Sequence, residues 1–206
     1  MTTTGPARAA PTLLDDGERE VLLRLARQAV TAAAAGEALP LVDRDRLPAA
    51  LRAPGAAFVT LHLNGRLRGC IGTLEPRDLS LADTVVMMAQ AAAREDPRFA
   101  PVQPDEVPAL EIEISVLGPL VPVASPSEIQ IGRDGLVVEE GHRRGLLLPQ
   151  VPVEWGWDRE TFLRQTCVKA GLPPDRWQHR ARLFRFTAEV FGEAAPPGSE
   201  DRHVRS

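Results

Sequence analysis

The run AAFVTLHLNGRLRGCI, residues 56–71, holds two short β-forming segments on either side of Asn64-Gly65. Asn-Gly supplies the positive φ angles of a type I′ turn, so the run is predicted to be an antiparallel hairpin. Ala56–Leu63 is the outgoing strand and Arg66–Ile71 the returning one. Alternation along the return places Leu67 and Ile71 on one face. Arg66, Arg68 and Cys70 fall on the other, provided Gly69 and Gly72 introduce no bulge.

Upstream, Asp15 or Asp16 caps a helix predicted to run from Asp15 to Ala35, and Gly36 ends it. Its apolar stripe is Val21, Leu22, Leu25, Ala29 and Val30, and the Arg24–Arg27–Gln28 side is read as solvated. Downstream, Asp78 or Ser80 caps a second helix running to about Glu95, stopped by Asp96-Pro97. LEIEISVL, residues 110–117, alternates strictly, and Glu111 and Glu113 at period two read as a solvated edge of a half-exposed strand. Short strands are expected around Ile129–Ile131, Gly135–Glu139 and Arg144–Leu148, followed by a loop over residues 150–157. Asp158 caps a third long helix to Ala170, and Arg182–Phe191 is a last strand. Clusters of strands separated by helices, with hairpins and no regular alternation, predict an α+β fold with mostly antiparallel sheets. The small and polar segments 1–14 and 194–206 read as tails around a domain at 15–193.

The chain has 206 residues, 44% hydrophobic and 25% charged, which excludes a disordered or fibrous protein and allows a sizeable core. A net charge of −4 argues against nucleic acid as the main partner. Lys169 is the sole lysine, so Schiff-base and phosphate-loop lysine chemistry have almost no candidates. No apolar run reaches the ~20 residues of a membrane helix. Nothing at the N-terminus suggests secretion, and two cysteines in a cytoplasmic setting are expected to be free thiols. No phosphate loop, dinucleotide-binding glycine run, nucleophile elbow or zinc-protease motif is present. The histidines are dispersed, and a mixed metal site from His142, a cysteine and a glutamate stays open. The sequence names no cofactor.

Two segments carry candidate chemistry. In LRGCIGT, residues 67–73, guanidinium groups near Cys70 would favour its thiolate, with Arg68 as anion partner, and Gly69 and Gly72 leave backbone open to a ligand. The opposing reading is a small inert thiol beside a tight bend. In the second segment, Gln150, Glu154 and Trp155 sit on a loop able to line a concave site, or to pack its indoles on the core. Cys70 and Arg68, with Glu154 or His142 as general acid–base, make an enzymatic set, and Gln150 and Trp155 are further ligand-binding candidates. Cys167, mid-helix beside Leu163, reads as core.

Six segments together resemble the AmmeMemoRadiSam system protein A family, the relatives of the human candidate protein of the Alport syndrome, midface hypoplasia and elliptocytosis region. They are LRGCIGT (67–73), DPRF (96–99), LEIEISVL (110–117), GLLLPQVPVEWGW (145–157), FLRQTCVKAGLP (162–173) and EVFGE (189–193), in order across roughly residues 15–192. The resemblance implies an α+β protein of two intertwined subdomains around antiparallel sheets. It also implies association with a Memo-like protein, itself similar to extradiol dioxygenases, and with a radical S-adenosylmethionine protein. It points to Arg68, Gly69, Cys70, Gly72 and Thr73 as the active-site segment. The role so implied is catalysis, ligand binding or docking of the Memo-like partner.

Overall fold

Helix α1 (Asp16–Ala35) opens on a reciprocal cap. The Asp15 carboxylate accepts the Glu18 N–H at 2.8 Å, and the Glu18 carboxylate accepts the Asp15 N–H at 3.0 Å. Gly36, at φ 72°, ends it. This computed structural model describes residues 14–74 and 79–193, so the segments 1–13 and 194–206, and Asp78, lie outside the described residues. Leu22, Ala26, Ala29, Val30 and Ala33 form the buried stripe of α1. Arg27 is not solvated as expected. It reaches across to the carbonyls of Val107 and Leu110, at 2.8 and 2.7 Å, and pairs with Glu193.

A short helix α2 (Ala49–Arg52) leads into β1 (Ala56–Leu63) and β2 (Arg66–Gly72). Asn64 and Gly65 take φ 52° and 71°, the left-handed pair that the hairpin demands. Helix α3 (Leu81–Arg94) is capped by Ser80, whose hydroxyl accepts the Asp83 N–H at 3.1 Å. Then come β3 (Leu110–Leu117), the two-residue β4 (Val121–Pro122), β5 (Asp134–Glu140) and β6 (Arg143–Leu147). Helices α4 (Gln150–Glu154) and α5 (Arg159–Lys169) precede the long last strand, β7 (Arg182–Gly192).

All pairings are antiparallel, in the order β2-β1-β3-β7-β5-β6, with β4 also on β7. β7 is the spine. Its C-terminal half pairs with β3 and its N-terminal half with β5, so the sheet curls around it. Helices α1 and α3 cover one face of β1 and β3 through Leu22, Val30, Val59, Leu61, Val85, Ile112 and Ile114. The opposite face is closed at one end by Ala56, Leu117, Val137 and Phe186. Helix α5 packs Phe162, Leu163 and Cys167 on the outside of β5. Helices combined with a curled antiparallel sheet make this an α+β fold.

Three expected elements differ. Residues 129–131 form no strand: buried Ile129 leads into a turn at 131–133, where the Asp134 carboxylate accepts the Gln130 N–H at 2.9 Å and the Asp134 N–H bonds the Gln130 carbonyl. The segment from Gln150 is helical, not a loop. Pro152 stands in the first turn of α4, where a missing N–H costs no helical bond. β3 is an interior strand, so Glu111 and Glu113 are half-buried on a sheet face and not on a solvated edge.

Candidate functional site

The Asn64-Gly65 turn sets Leu63 opposite Arg66 and His62 opposite Leu67. The ladder then slips, and Leu61 faces Gly69, leaving Arg68 as the extra residue of a bulge. The expected facing pattern is corrected accordingly. Ile71 joins Val59 on the helix side, whereas Leu67 is 41% exposed, and Arg68 leaves the row of Cys70. Gly69 permits the arrangement, since a Cβ there would lie 2.2 Å from the Ala92 carbonyl oxygen of α3. Gly72 faces the ring of Phe58 just as closely.

The bulge places Cys70 opposite Thr60, which in turn faces Glu113. These three side chains form a row across β2, β1 and β3 on the face away from α1 and α3. The Thr60 hydroxyl donates to Cys70 Sγ at 3.3 Å. With strands spaced about 4.8 Å apart, the thiol-bearing and carboxylate-bearing positions stand roughly 10 Å from each other, with Thr60 between them. His62 and Glu111 make the next pair along the same face, and Phe58 and Ser115 the pair on the other side. Among the described residues neither the Glu111 nor the Glu113 side chain has a hydrogen-bond or ion-pair partner. The Ser115 hydroxyl, in a residue 1% exposed, also has none.

The DPRF segment closes the outer edge of β2. Asp96, 4% exposed, accepts the Cys70 N–H at 2.8 Å, and Arg98 reaches the Cys70 carbonyl at 3.4 Å. Arg98 also binds both oxygens of Asp96, at 2.9 and 2.6 Å. The Arg98 guanidinium holds the Asp96 carboxyl well below the usual carboxylate range, helped by the N–H groups of Cys70 and Arg98. In return Arg98 is raised, chiefly by Asp96 and further by the Cys70 side chain beside it. The cation next to the thiol is therefore Arg98. Arg68 is held by Glu106 through two bonds, at 2.8 and 2.9 Å, and by the Ala100 carbonyl at 2.9 Å. That pairing lowers Glu106 and raises Arg68.

Of the residues singled out from sequence, Arg68, Gly69, Cys70 and Gly72 share β2. Thr73 follows them, its N–H on the Ala57 carbonyl at 3.0 Å. The others stand elsewhere. His142 is in the β5–β6 turn, in a cleft of about 410 Å³ with Glu140, Arg143 and Arg176. Gln150 and Glu154 bound α4, and Trp155 is 70% exposed and stacked on Trp157 at 6.0 Å. β6 and β2 stand at opposite ends of the strand order, although the curl of the sheet packs Leu146 and Leu148 on the same cluster as Phe58 and Leu74. Among the described residues no three His, Cys, Asp or Glu side chains are placed to hold a metal ion, which leaves the mixed His142 site without a ligand set. No described helix is long and apolar enough to cross a membrane. Residue chemistry alone does not point to Thr60, Asp96 or Arg98, and alternation alone leaves Glu113 on a solvated side. The register past the bulge joins Thr60 and Glu113 to Cys70, and hydrogen bonds to the Cys70 backbone join Asp96 and Arg98.

A curled antiparallel sheet with helices on one face and a thiol row on the other defines an α+β protein whose candidate site lies on a sheet surface. The AMMECR1 family model matches residues 23–191, and the chain belongs to that family. A protein of Thermococcus gammatolerans is 47% identical over 190 residues, covering 87% of this chain and 92% of the relative. One from Methanothermobacter thermautotrophicus is 46% identical over 194 residues, covering 89% and 97%. The crystal structure of an uncharacterized protein from Pyrococcus horikoshii superposes with a TM-score of 0.82 at 42% identity, covering 90% of this chain and 96% of that one.

Proposed function

We propose that the Cys70 face is a small-molecule site in which the thiol acts as a nucleophile. The observation that carries this reading is the support converging on one residue. Thr60 donates to Sγ while Asp96 and Arg98 hold the N–H and C=O of the same Cys70. Attack on a polarised double bond forms the S–C bond and breaks the π bond. The thiol proton then goes to the atom that takes the electron pair. In this reading Glu113, two strands away in the same row, exchanges that proton with the bound molecule through water, the part expected of Glu154 or His142. Arg98 takes the cationic part first given to Arg68.

The test is the rate of Cys70 alkylation by iodoacetamide in four proteins. Thr60→Val and Arg98→Ala should each slow it by about tenfold, on the scale of one charge-assisted hydrogen bond. Arg68→Ala should leave it unchanged. Equal rates in all four, or a loss confined to Arg68→Ala, would remove the basis of the reading.

A second reading is favoured by a different surface. Trp155 and Val153 are 70% and 59% exposed, and Val153 rests against Gly132. In this reading the patch docks the Memo-like protein that the family resemblance implies, beside the radical S-adenosylmethionine protein, with Trp155 as anchor. Trp155→Ser should then abolish the complex without altering Cys70 alkylation, and an undiminished complex would count against it.

A further inference from the structure

From the backbone of β7 we infer a docking edge for an extended, basic segment of a partner protein. The Gly118 N–H bonds the Thr187 carbonyl, and the Glu193 N–H bonds the Ile112 carbonyl. These bonds set the alternation along β7. Glu189 and Phe191 turn their backbone groups to β3, whereas Ala188, Val190 and Gly192 turn theirs to the other side. β5 covers that other side only as far as Thr187, opposite Asp134, after which the chain before β5 turns away. Among the described residues no strand lies beside positions 188–192 there. Val190 is 42% exposed and Gly192 is exposed as well. Three outward backbone positions in a row are a template for one more strand.

The side chains state which strand fits. Across the sheet, Gly192 continues the row of Cys70, Thr60 and Glu113, and Val190 continues the row of Phe58 and Ser115. A residue added opposite Gly192 projects its side chain onto the face of Glu113, and Gly192 puts no side chain in between. Glu113 is half-buried and has no cation among the described residues. A lysine or arginine from the added strand supplies that charge. The residue opposite Val190 meets an apolar side chain, and the one opposite Ala188 a small one. For an antiparallel strand this reads, from N to C, as basic, any, apolar, any, apolar. The inference shares the face of Cys70 but does not depend on whether the thiol reacts.

The experiment pans a displayed library of random twelve-residue peptides against the whole protein, with Val190→Pro as the counter-target. Proline at 190 removes an N–H that points away from β3, so the fold should survive, which thermal melting checks. The expected result is a set of peptides with the basic–x–apolar–x–apolar pattern that bind Val190→Pro at least tenfold more weakly. Replacing the basic residue by glutamate in the peptide, or Glu113→Gln in the protein, should weaken binding about threefold to tenfold, as for a partly screened ion pair. Amide hydrogen exchange at Ala188, Val190 and Gly192 should be fast in the free protein and slow with peptide bound. The inference is overturned if no Val190→Pro-sensitive peptide emerges, or if basic and acidic versions bind alike. It is overturned equally if those amides are already protected, whether by this chain itself or by a second copy seen as a concentration-dependent mass. Cys70 alkylation in Val190→Pro should match the parent, which separates failure here from failure of the thiol reading.

Discussion

The chain carries its two thiols in opposite settings. Cys70 is half-buried on β2, with a hydroxyl donating to its sulfur, a guanidinium beside it and a carboxylate on its N–H. Cys167 is fully buried in α5 among Val138, Ala170 and Leu172, and burial pushes its thiol up from the ordinary value. Both sites rest on a glycine that lets backbone meet backbone, Gly69 against Ala92 and Gly145 against Ala170. The contrast teaches that tight packing is common to both thiols, while side-chain polar support belongs to Cys70, and Cys167 has the Trp177 backbone N–H beside it in a setting that burial dominates.

The shared part of the comparison is broken most severely at those glycines. A Cβ at Gly69 would lie 2.2 Å from the Ala92 oxygen, and one at Gly145 would lie 2.3 Å from the Ala170 nitrogen. Gly69→Ala and Gly145→Ala should each cost about 3–5 kcal/mol in urea unfolding, among the larger effects of single substitutions. A loss under about 1 kcal/mol at either would show that its strand and helix can separate cheaply.

Asp96→Asn sharpens the polar side. It removes a buried acceptor of two backbone N–H groups and the Arg98 guanidinium, and should cost about 2–3 kcal/mol. The sign of the pH effect follows from the lowered carboxyl. The unfolded chain takes up the proton first, so this stabilisation is complete above the ordinary aspartate value of about 3.9 and is lost as pH falls below it. Stability against pH should lose part of its acid slope in Asp96→Asn, and an unchanged slope would contradict the clamp.

Serine substitution separates the thiols by their surroundings. Cys167→Ser puts a hydroxyl in a fully buried, mostly apolar site, with the Trp177 backbone N–H beside it, and should cost about 1–3 kcal/mol. Cys70→Ser keeps the Thr60 partner and should change stability by less than about 0.5 kcal/mol, measured the same way. Equal costs would mean that Cys70 is as much a core residue as Cys167.

Much of this fold was legible because its signals are local. Asn64-Gly65 dictates the hairpin through φ, Asp15 and Glu18 dictate a helix start, and the alternation of residues 110–117 dictates which side of β3 is apolar. What escaped is set at a distance. The turn alone would pair Thr60 with Gly69. The bulge at Arg68 shifts the partner to Cys70, and that bulge goes with the approach of α3 to Gly69, which lies 23 positions before Ala92 in the chain. Asp96 lies 26 residues from the N–H it accepts, and Arg27 lies 166 residues from Glu193. Glu113 was read as solvated because alternation gives a face but not the number of strands beside it. Of the site, the LRGCIGT strand was visible, and the partners across the sheet were not.

The account turns on one measurement: iodoacetamide modification of the native protein, followed by peptide mass spectrometry of both cysteines and repeated in denaturant. It predicts that native Cys70 reacts at least about a hundredfold faster than Cys167, and that the two converge once unfolded, since thiol reactivity follows exposure and thiolate character. A Cys70 that stays unmodified until the chain unfolds, in step with Cys167, would contradict it.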